Sequence, residues 1–222
     1  MKTSIRLGFA ALLAATAFTP ALAHGILSGP TGYQAGDIVV HLSAVGVIPE
    51  NFASSVETGG AVISGEHVQV SAGISPELDA SYFLTPYLSI QAIAATTRHN
   101  VSIAGPVNAK VGSAWVLPPT VTLQYHFPQM GMIRPYAGVG LTVAFFYDQH
   151  VANGITKFGG LSTGVGPALD AGFDVPVIGN WVANFDVKQI FLVTGTHVDN
   201  GAINALTELS PTVVGVGVGY VF

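Results

Sequence analysis

A two-residue alternation of apolar and small or polar positions runs through this chain. It is clearest in the last segment, Leu209–Phe222, where valines at 214, 216 and 218 alternate with glycines at 215, 217 and 219. A period of two describes a strand, because successive side chains point to opposite faces. One face here is apolar and ends on the aromatic Phe222, whereas the other is mostly glycine. This pattern favours the wall of a barrel whose outside meets lipid.

The same alternation recurs along the chain and predicts eight strands separated by alternately long and short connections. The predicted strands are Asp37–Ile48, Gly73–Thr85, Leu88–Thr96, Thr120–Phe127, Arg134–Tyr147, Leu161–Val175, Trp181–Val193 and the closing segment Leu209–Phe222. The long connections are Pro49–His67, Arg98–Leu117, Asp148–Gly160 and Thr194–Glu208. Bacterial outer-membrane barrels have short periplasmic turns and long extracellular loops. The sequence therefore predicts an all-β fold, an eight-stranded antiparallel transmembrane β-barrel in the bacterial outer membrane.

The amino-terminal segment is typical of a secretory signal peptide. Lys2 and Arg6 precede an apolar run that ends in Ala21-Leu22-Ala23, an A-x-A cleavage pattern. We therefore predict that residues 1–23 are removed and that residues 24–222 form a single barrel domain. The next segment, residues 24–36, is rich in glycine and lacks periodicity, so it is expected to be irregular.

Composition supports the barrel and narrows the choice of partners. Charged residues make up only 9% of the chain, against about 25% in soluble domains. Without Lys2 and Arg6, twelve acidic side chains face five basic ones, which argues against nucleic acid as a partner. The chain has no cysteine, so disulfides and thiolate metal sites are excluded.

Ionisable and aromatic side chains in the inward phase are the candidate lining of the lumen. They are His41, Asp79, Phe83, His126, Tyr136, Asp170, Asp186 and Lys188, with Glu77, Arg134 and Asp174 in the same phase. A small barrel has room for little more than its own side chains, so such groups must pair with one another or hold water. A hydrogen-bonded structural plug is the main interpretation, and a hidden catalytic acid or base is the alternative.

Two further kinds of site are disfavoured by spacing. Gly-Val-Gly occurs repeatedly, but the dinucleotide-binding spacing is never completed between a strand and a helix. The glycines are interpreted instead as inward positions in a narrow barrel. His24 at the predicted mature amino terminus could chelate a metal, but the other histidines show no paired spacing on one strand face. We therefore expect no cofactor and no metal.

Several motifs follow one another along the chain: Trp115-Val116-Leu117-Pro118-Pro119-Thr120, then Arg134-Pro135-Tyr136-Ala137-Gly138-Val139-Gly140, Phe145-Phe146, Gly179-Asn180-Trp181 and the closing Gly219-Tyr220-Val221-Phe222. Together, in this order, they resemble the OmpW family of outer-membrane proteins, which includes AlkL-like members. The resemblance covers nearly the whole predicted mature chain. Two positions depart from many members: Val165 stands where they have tryptophan, and Trp115-Val116 where several have histidines.

The resemblance implies a non-enzymatic conduit that takes up small apolar molecules and releases them sideways through the barrel wall into the membrane. It implies that Leu117–Thr120 and Arg134–Gly140 are structural motifs, and that Tyr220 and Phe222 are read by the barrel-assembly machinery. Deleting Phe222 is therefore expected to reduce insertion. Expected partners are outer-membrane lipid, lipopolysaccharide and small apolar solutes. The rivals are a receptor barrel that displays its loops and a lipid-modifying enzyme that uses Asp79 and His126.

Overall fold

The computed structural model describes residues 31–58, 61–62, 67–104, 109–151, 158–161, 163–198 and 203–222. The predicted signal peptide and its cleavage site lie outside these ranges. Sixteen strands are present in the described residues: β1 (Ile38–Ile48), β2 (Asn51–Thr58), β3 (Ala61–Val62), β4 (His67–Val70), β5 (Gly73–Thr85), β6 (Leu88–Ala95), β7 (Thr97–Ala104), β8 (Ala109–Leu117), β9 (Thr120–His126), β10 (Arg134–Val151), β11 (Phe158–Leu161), β12 (Gly164–Ile178), β13 (Trp181–Ile190), β14 (Leu192–Val198), β15 (Ile203–Leu209) and β16 (Thr212–Val221). The residues described by the structure contain no helix that is long and apolar enough to cross a membrane.

Eight of these strands close into an antiparallel barrel, which confirms the predicted fold. The ring runs β1, β5, β6, β9, β10, β12, β13, β16 and back to β1. The closing ladder between β1 and β16 extends from Val39 paired with Val221 to Ile48 paired with Thr212. Closure gives every wall strand a hydrogen-bonded neighbour on each side, as a membrane environment requires.

The period of two in the sequence gives each wall strand one inward and one outward face. On β1 the inward His41 and Ser43 are buried, while the outward Leu42 is 59% exposed. Along β16 the outward Val216 and Val218 are 57% and 53% exposed, and the inward Val213 and Val221 are buried. Since large apolar side chains cover the outside of the ring, this band is the surface that meets lipid.

The four long connections do join the wall strands, but they are not the loops that the sequence suggested, because much of each is β-strand. Hairpins of β7 with β8 and of β14 with β15 continue the wall beyond the ring, and β2 and β4 add to them. β10 continues to Val151 by pairing with β8 above the point where it leaves β9. Other boundaries also shift by a few residues: β12 spans Gly164–Ile178, β13 ends at Ile190 and β16 begins at Thr212.

The inward glycines of β16 lie against side chains that leave no space for a methyl group. A Cβ atom at Gly219 would be 2.2 Å from Cδ2 of His41 and 2.9 Å from Cγ2 of Val182. The corresponding distance at Gly46 of β1 is 4.0 Å, to the carbonyl oxygen of Val214. Glycine at 219 is therefore required for close packing, as the sequence pattern predicted, whereas glycine at 46 is not.

Gly219→Ala is expected to lower the free energy of unfolding by about 1–3 kcal/mol, the usual cost of overpacking a well-filled interior. Gly46→Ala is the matched control and should cost nothing, since its methyl group fits. Urea unfolding of the folded protein in micelles measures both. Equal stability of the two variants would show that His41 can move aside and that the lumen is not packed tightly at Gly219.

Candidate functional site

The lumen of the barrel is filled at its lower level by a network of polar side chains. His41 is at its centre, with Nδ1 2.8 Å from Oδ1 of Asp79 and Nε2 3.3 Å from Oδ1 of Asp174. Asp174 also accepts a hydrogen bond of 2.8 Å from Nδ2 of Asn184. Each of these four side chains comes from the inward face of a different wall strand. The network therefore ties β1, β5, β12 and β13 together across the interior.

An amide ladder continues this network to the other side of the ring. Gln91 donates from Nε2 to Oδ1 of Asp79 at 2.8 Å, and Gln124 donates to Oε1 of Gln91 at 2.8 Å and to Oδ2 of Asp170 at 2.6 Å. All of these side chains are buried. Buried polar groups of this kind are stable only when they are paired, and the pairing leaves little free space at this level.

Lys188 forms the uppermost part of the polar network. Its Nζ atom is 2.7 Å from Oε1 of Glu77 and also contacts Oδ2 of Asp186. Asp170 is the cross-strand neighbour of Lys188 in the ladder of β12 with β13. One ammonium group thus contacts two buried carboxyl groups, and a third lies on the neighbouring strand, so acceptor oxygens outnumber cations at the top of the network.

The segment before β1 closes the periplasmic mouth, where the sequence predicted only irregular structure. Tyr33 is fully buried, stacks on Phe83 with a centroid distance of 4.4 Å, and donates from its hydroxyl to Oδ2 of Asp174 at 2.5 Å. The guanidinium carbon of Arg134 is 4.9 Å from the centre of the Tyr33 ring. Burial, together with the Asp174 carboxylate, raises the pKa of Tyr33 well above its ordinary value, so the hydroxyl remains a donor.

Above the polar network the lumen becomes an apolar cavity. Its empty volume is about 1110 Å³, a figure that includes the open mouth. Most of its wall is aliphatic or aromatic: Val45, Val47, Val70, Ile93, Ala95, Val101, Ala114, Val116, Phe146, Ile190, Leu192 and Val213. Glu77 and Lys188 are the charged residues on its lining, at the boundary with the polar network. An apolar cavity above a polar base is suited to hold a hydrophobic molecule.

All eight candidate lining residues lie buried inside the barrel, on the faces that the alternation assigned to them. His41, Asp79, Phe83, His126, Tyr136, Asp170, Asp186 and Lys188 are between 1% and 5% exposed. Of this set, Lys188 is the one that reaches the apolar cavity, and the others form the polar network or its aromatic base. Contact of these residues with a solute stays a prediction.

Asp79 and His126, the pair considered for catalysis, have separate partners. Asp79 is bound to His41 and Gln91, whereas His126 is 2.9 Å from the hydroxyl of Ser89 and packs on Phe83 at 4.5 Å between ring centroids. The residues missed by sequence reasoning are the apolar cavity lining. Their signal was present in the inward phase, where Ser43 is followed by Val45, Gln91 by Ile93 and Lys188 by Ile190.

The two sequence motifs lie at structurally demanding positions. Pro118 and Thr120 are on the cavity wall, and Pro119 accepts a hydrogen bond of 3.0 Å from the backbone of Val143. In the second motif, Pro135 pairs with Phe173, and Gly140 pairs with Thr122 across the ladder to β9. A Cβ atom at Gly138 would lie 2.1 Å from Oδ1 of Asp170.

The model of the OmpW family matches residues 34–222. The chain belongs to this family. Among relatives of this OmpW-family barrel, the uncharacterized outer-membrane protein y4mB of Sinorhizobium fredii is 36% identical, covering 89% of the chain and 83% of the relative. Outer membrane protein W of Vibrio cholerae is 29% identical, with 96% of each chain covered. The location of this OmpW-family protein is therefore the outer membrane.

A solved structure supports the same assignment. The crystal structure of OprG from Pseudomonas aeruginosa superposes with a TM-score of 0.80 and 25% identity, over 86% of this chain and 98% of OprG. The family and the barrel fold predicted from the sequence are thus confirmed. Tyr220 and Phe222 lie on the outer face at the closing edge, with 4.7 Å between their ring centroids. Their part in assembly stays a prediction.

Proposed function

We propose that this OmpW-family barrel is a non-enzymatic conduit that accepts small hydrophobic molecules in its upper cavity and releases them sideways into the membrane. The observation that carries the proposal is the apolar cavity placed directly above a closed polar network. Transfer of a hydrophobic solute from water into such a cavity is favourable by about 25 cal/mol for each Å² of apolar surface buried. The family resemblance implies the same class of solute.

Straight passage to the periplasm is unfavourable for an apolar solute. It would have to separate the paired side chains of His41, Asp79 and Asp174 and of Lys188 with Glu77. Leaving such buried groups without partners costs several kcal/mol for each charge. Tyr33 further closes the mouth below them. Exit through the wall avoids these costs, because the lipid outside is as apolar as the cavity.

The wall has an interruption at the level of the cavity. The ladder of β6 with β9 ends at Ile93 paired with Thr120, and the ladder of β7 with β8 begins at Thr97 paired with Val116. Between these two pairs, residues 94–96 face Leu117-Pro118-Pro119 without a ladder pair. Proline has no backbone N–H, so Pro118 cannot donate to a ladder at this point. This interruption is the proposed exit.

The outer membrane is a barrier that such a conduit would bypass. The outer leaflet carries a charged sugar layer that resists apolar solutes, although the hydrocarbon beneath accepts them. The strands above the ring place the cavity mouth beyond the lipid band, where a solute can be taken from water. A barrel that passes the solute to the hydrocarbon level removes the barrier without opening a water-filled pore.

Uptake by whole cells tests the proposal. A strain lacking the protein and the same strain carrying it are compared for uptake of an apolar aromatic such as naphthalene. Correct insertion is verified by the heat-dependent mobility of the folded barrel in gels. We expect faster uptake with the protein, while glucose uptake is the same in both strains. Equal naphthalene uptake in the two strains, with the protein inserted, would contradict the proposal.

The exit is tested by restoring one backbone donor at a time. The carbonyl of Pro119 faces β10, where Val143 binds it. Because alternate residues of a strand direct their backbone groups to opposite neighbours, Pro118 faces the interruption. Pro118→Val is therefore expected to strengthen pairing there and slow naphthalene uptake several-fold. Pro119→Val, which restores a donor on the β10 side, is the control and should retain uptake. Equal rates for both variants would place the exit elsewhere.

A further inference from the structure

The floor of the apolar cavity is charged, unlike its walls. Lys188 and Glu77 both lie on the cavity lining, with Nζ of Lys188 2.7 Å from Oε1 of Glu77. Asp186 contacts the same ammonium group from below, and Asp170 is its cross-strand neighbour. A purely hydrocarbon solute cannot form hydrogen bonds or ion pairs with such a floor. A solute with one polar end can.

We propose that this floor is a polar subsite that accepts the hydroxyl or ammonium head of an alkyl compound and rejects a carboxylate head. The inference rests on the function proposed above and specifies the class of solute. The alkyl chain would lie along the aliphatic wall, with its head at Glu77 and Lys188. The cavity then prefers alkanols and alkylamines to alkanoates of equal chain length.

The balance of charge at the floor sets this preference. Glu77 and Asp186 both bind Lys188, so its single positive charge is already more than matched. Asp170 adds a third carboxyl group on the neighbouring strand, and its buried Oδ1 atom has no hydrogen-bond partner in the part of the chain that the structure describes. An approaching carboxylate meets the oxygens of these carboxyl groups in a site poorly screened by water and is repelled, whereas an ammonium group or a hydroxyl donor meets acceptors.

The walls direct the head to the floor because their own polar groups are already paired. Nδ1 of His99 is 2.7 Å from the carbonyl oxygen of Ser71, and Nε2 is 2.8 Å from the hydroxyl of Thr97. The hydroxyl of Thr120 donates to the carbonyl of Pro118 at 3.1 Å and contacts Thr142 at 2.8 Å. A polar head therefore finds better partners at the floor than along the wall.

Methyl NMR of isoleucine-labelled protein in lipid nanodiscs tests the subsite. Ile93 and Ile190 line the cavity, whereas Ile74 and Ile90 are exposed on the outer face and report partition into lipid. Decane, decanol, decylamine and decanoate are titrated at neutral pH. We expect the Ile93 and Ile190 signals to respond to decylamine and decanol at concentrations at least about tenfold lower than to decanoate, the size of effect that one unbalanced charge has in a partly buried site.

Glu77→Gln removes one carboxylate while Lys188 keeps Asp186 as its partner. In this variant the difference between decylamine and decanoate should shrink. An equal or stronger response of the wild-type cavity to decanoate would overturn the subsite, as would an unchanged preference in a folded Glu77→Gln variant. The wild-type series decides the matter even if the variant does not fold. If none of the four compounds, decane included, changed the Ile93 and Ile190 methyl signals, the conduit would be overturned as well.

Discussion

Ala114→Trp is expected to remove most of the uptake of apolar solute that depends on this protein. Ala114 lies on the wall of the cavity and is only 4% exposed. An indole ring at this position extends into the space that a solute would occupy. Uptake of naphthalene by cells that carry the variant should approach that of cells without the protein.

The control for this substitution is Val216→Trp on the lipid face. Val216 is 57% exposed and its side chain points away from the lumen, so an indole there adds bulk to the outer band alone. Wild-type uptake is expected. Gel mobility of the folded form shows that both variants are inserted. Normal uptake by inserted Ala114→Trp protein would mean that solutes do not pass through the cavity.

Lys188→Met is expected to lower the free energy of unfolding by about 3–5 kcal/mol, the usual cost of removing one partner from a buried ion pair. The substitution leaves Glu77 and Asp186 facing each other inside the barrel without the ammonium group that both contact. Urea unfolding in micelles measures the loss. Adding Glu77→Gln and Asp186→Asn to the same chain should restore most of the stability, because it removes the unbalanced charges.

Lys110→Met is the control for charge alone, since Lys110 is exposed on β8. Its effect should lie within about 0.5 kcal/mol, as for most surface substitutions. A loss of less than about 1 kcal/mol in Lys188→Met, well below the cost of an unpaired buried charge, would show that water reaches Glu77 and Asp186. The polar network would then be more open than its burial indicates.

The wall strands and their faces could be predicted because lipid outside and a filled lumen inside impose opposite demands on alternate residues. The hairpin of β7 with β8 was missed because the demands change above the lipid. There the outward Arg98 and Asn100 are exposed, while the inward Thr97 and His99 are buried. A search for apolar outward faces therefore classifies this part of the wall as loop, although its alternation is intact.

The polar network could be predicted as a set of inward residues, but its pairings could not. Tyr33 and Asp174 are 141 positions apart, and their hydrogen bond depends on the closure of the whole ring. The apolar cavity was missed for a related reason. An inward face was expected to be polar along its full length, yet it changes character at Val45, Ile93 and Ile190, where the ring meets the strands above it.

Parallel measurement of two fluxes tests the central claim most directly. Purified protein is inserted into asymmetric vesicles whose outer leaflet is lipopolysaccharide, and the arrival of naphthalene in the bilayer is followed together with the passage of labelled glucose into the vesicle. We expect the protein to accelerate arrival of naphthalene, and to leave glucose at the rate of protein-free vesicles. Arrival of naphthalene at the rate of protein-free vesicles, or passage of glucose along with naphthalene, would contradict a closed barrel that delivers apolar solutes through its wall.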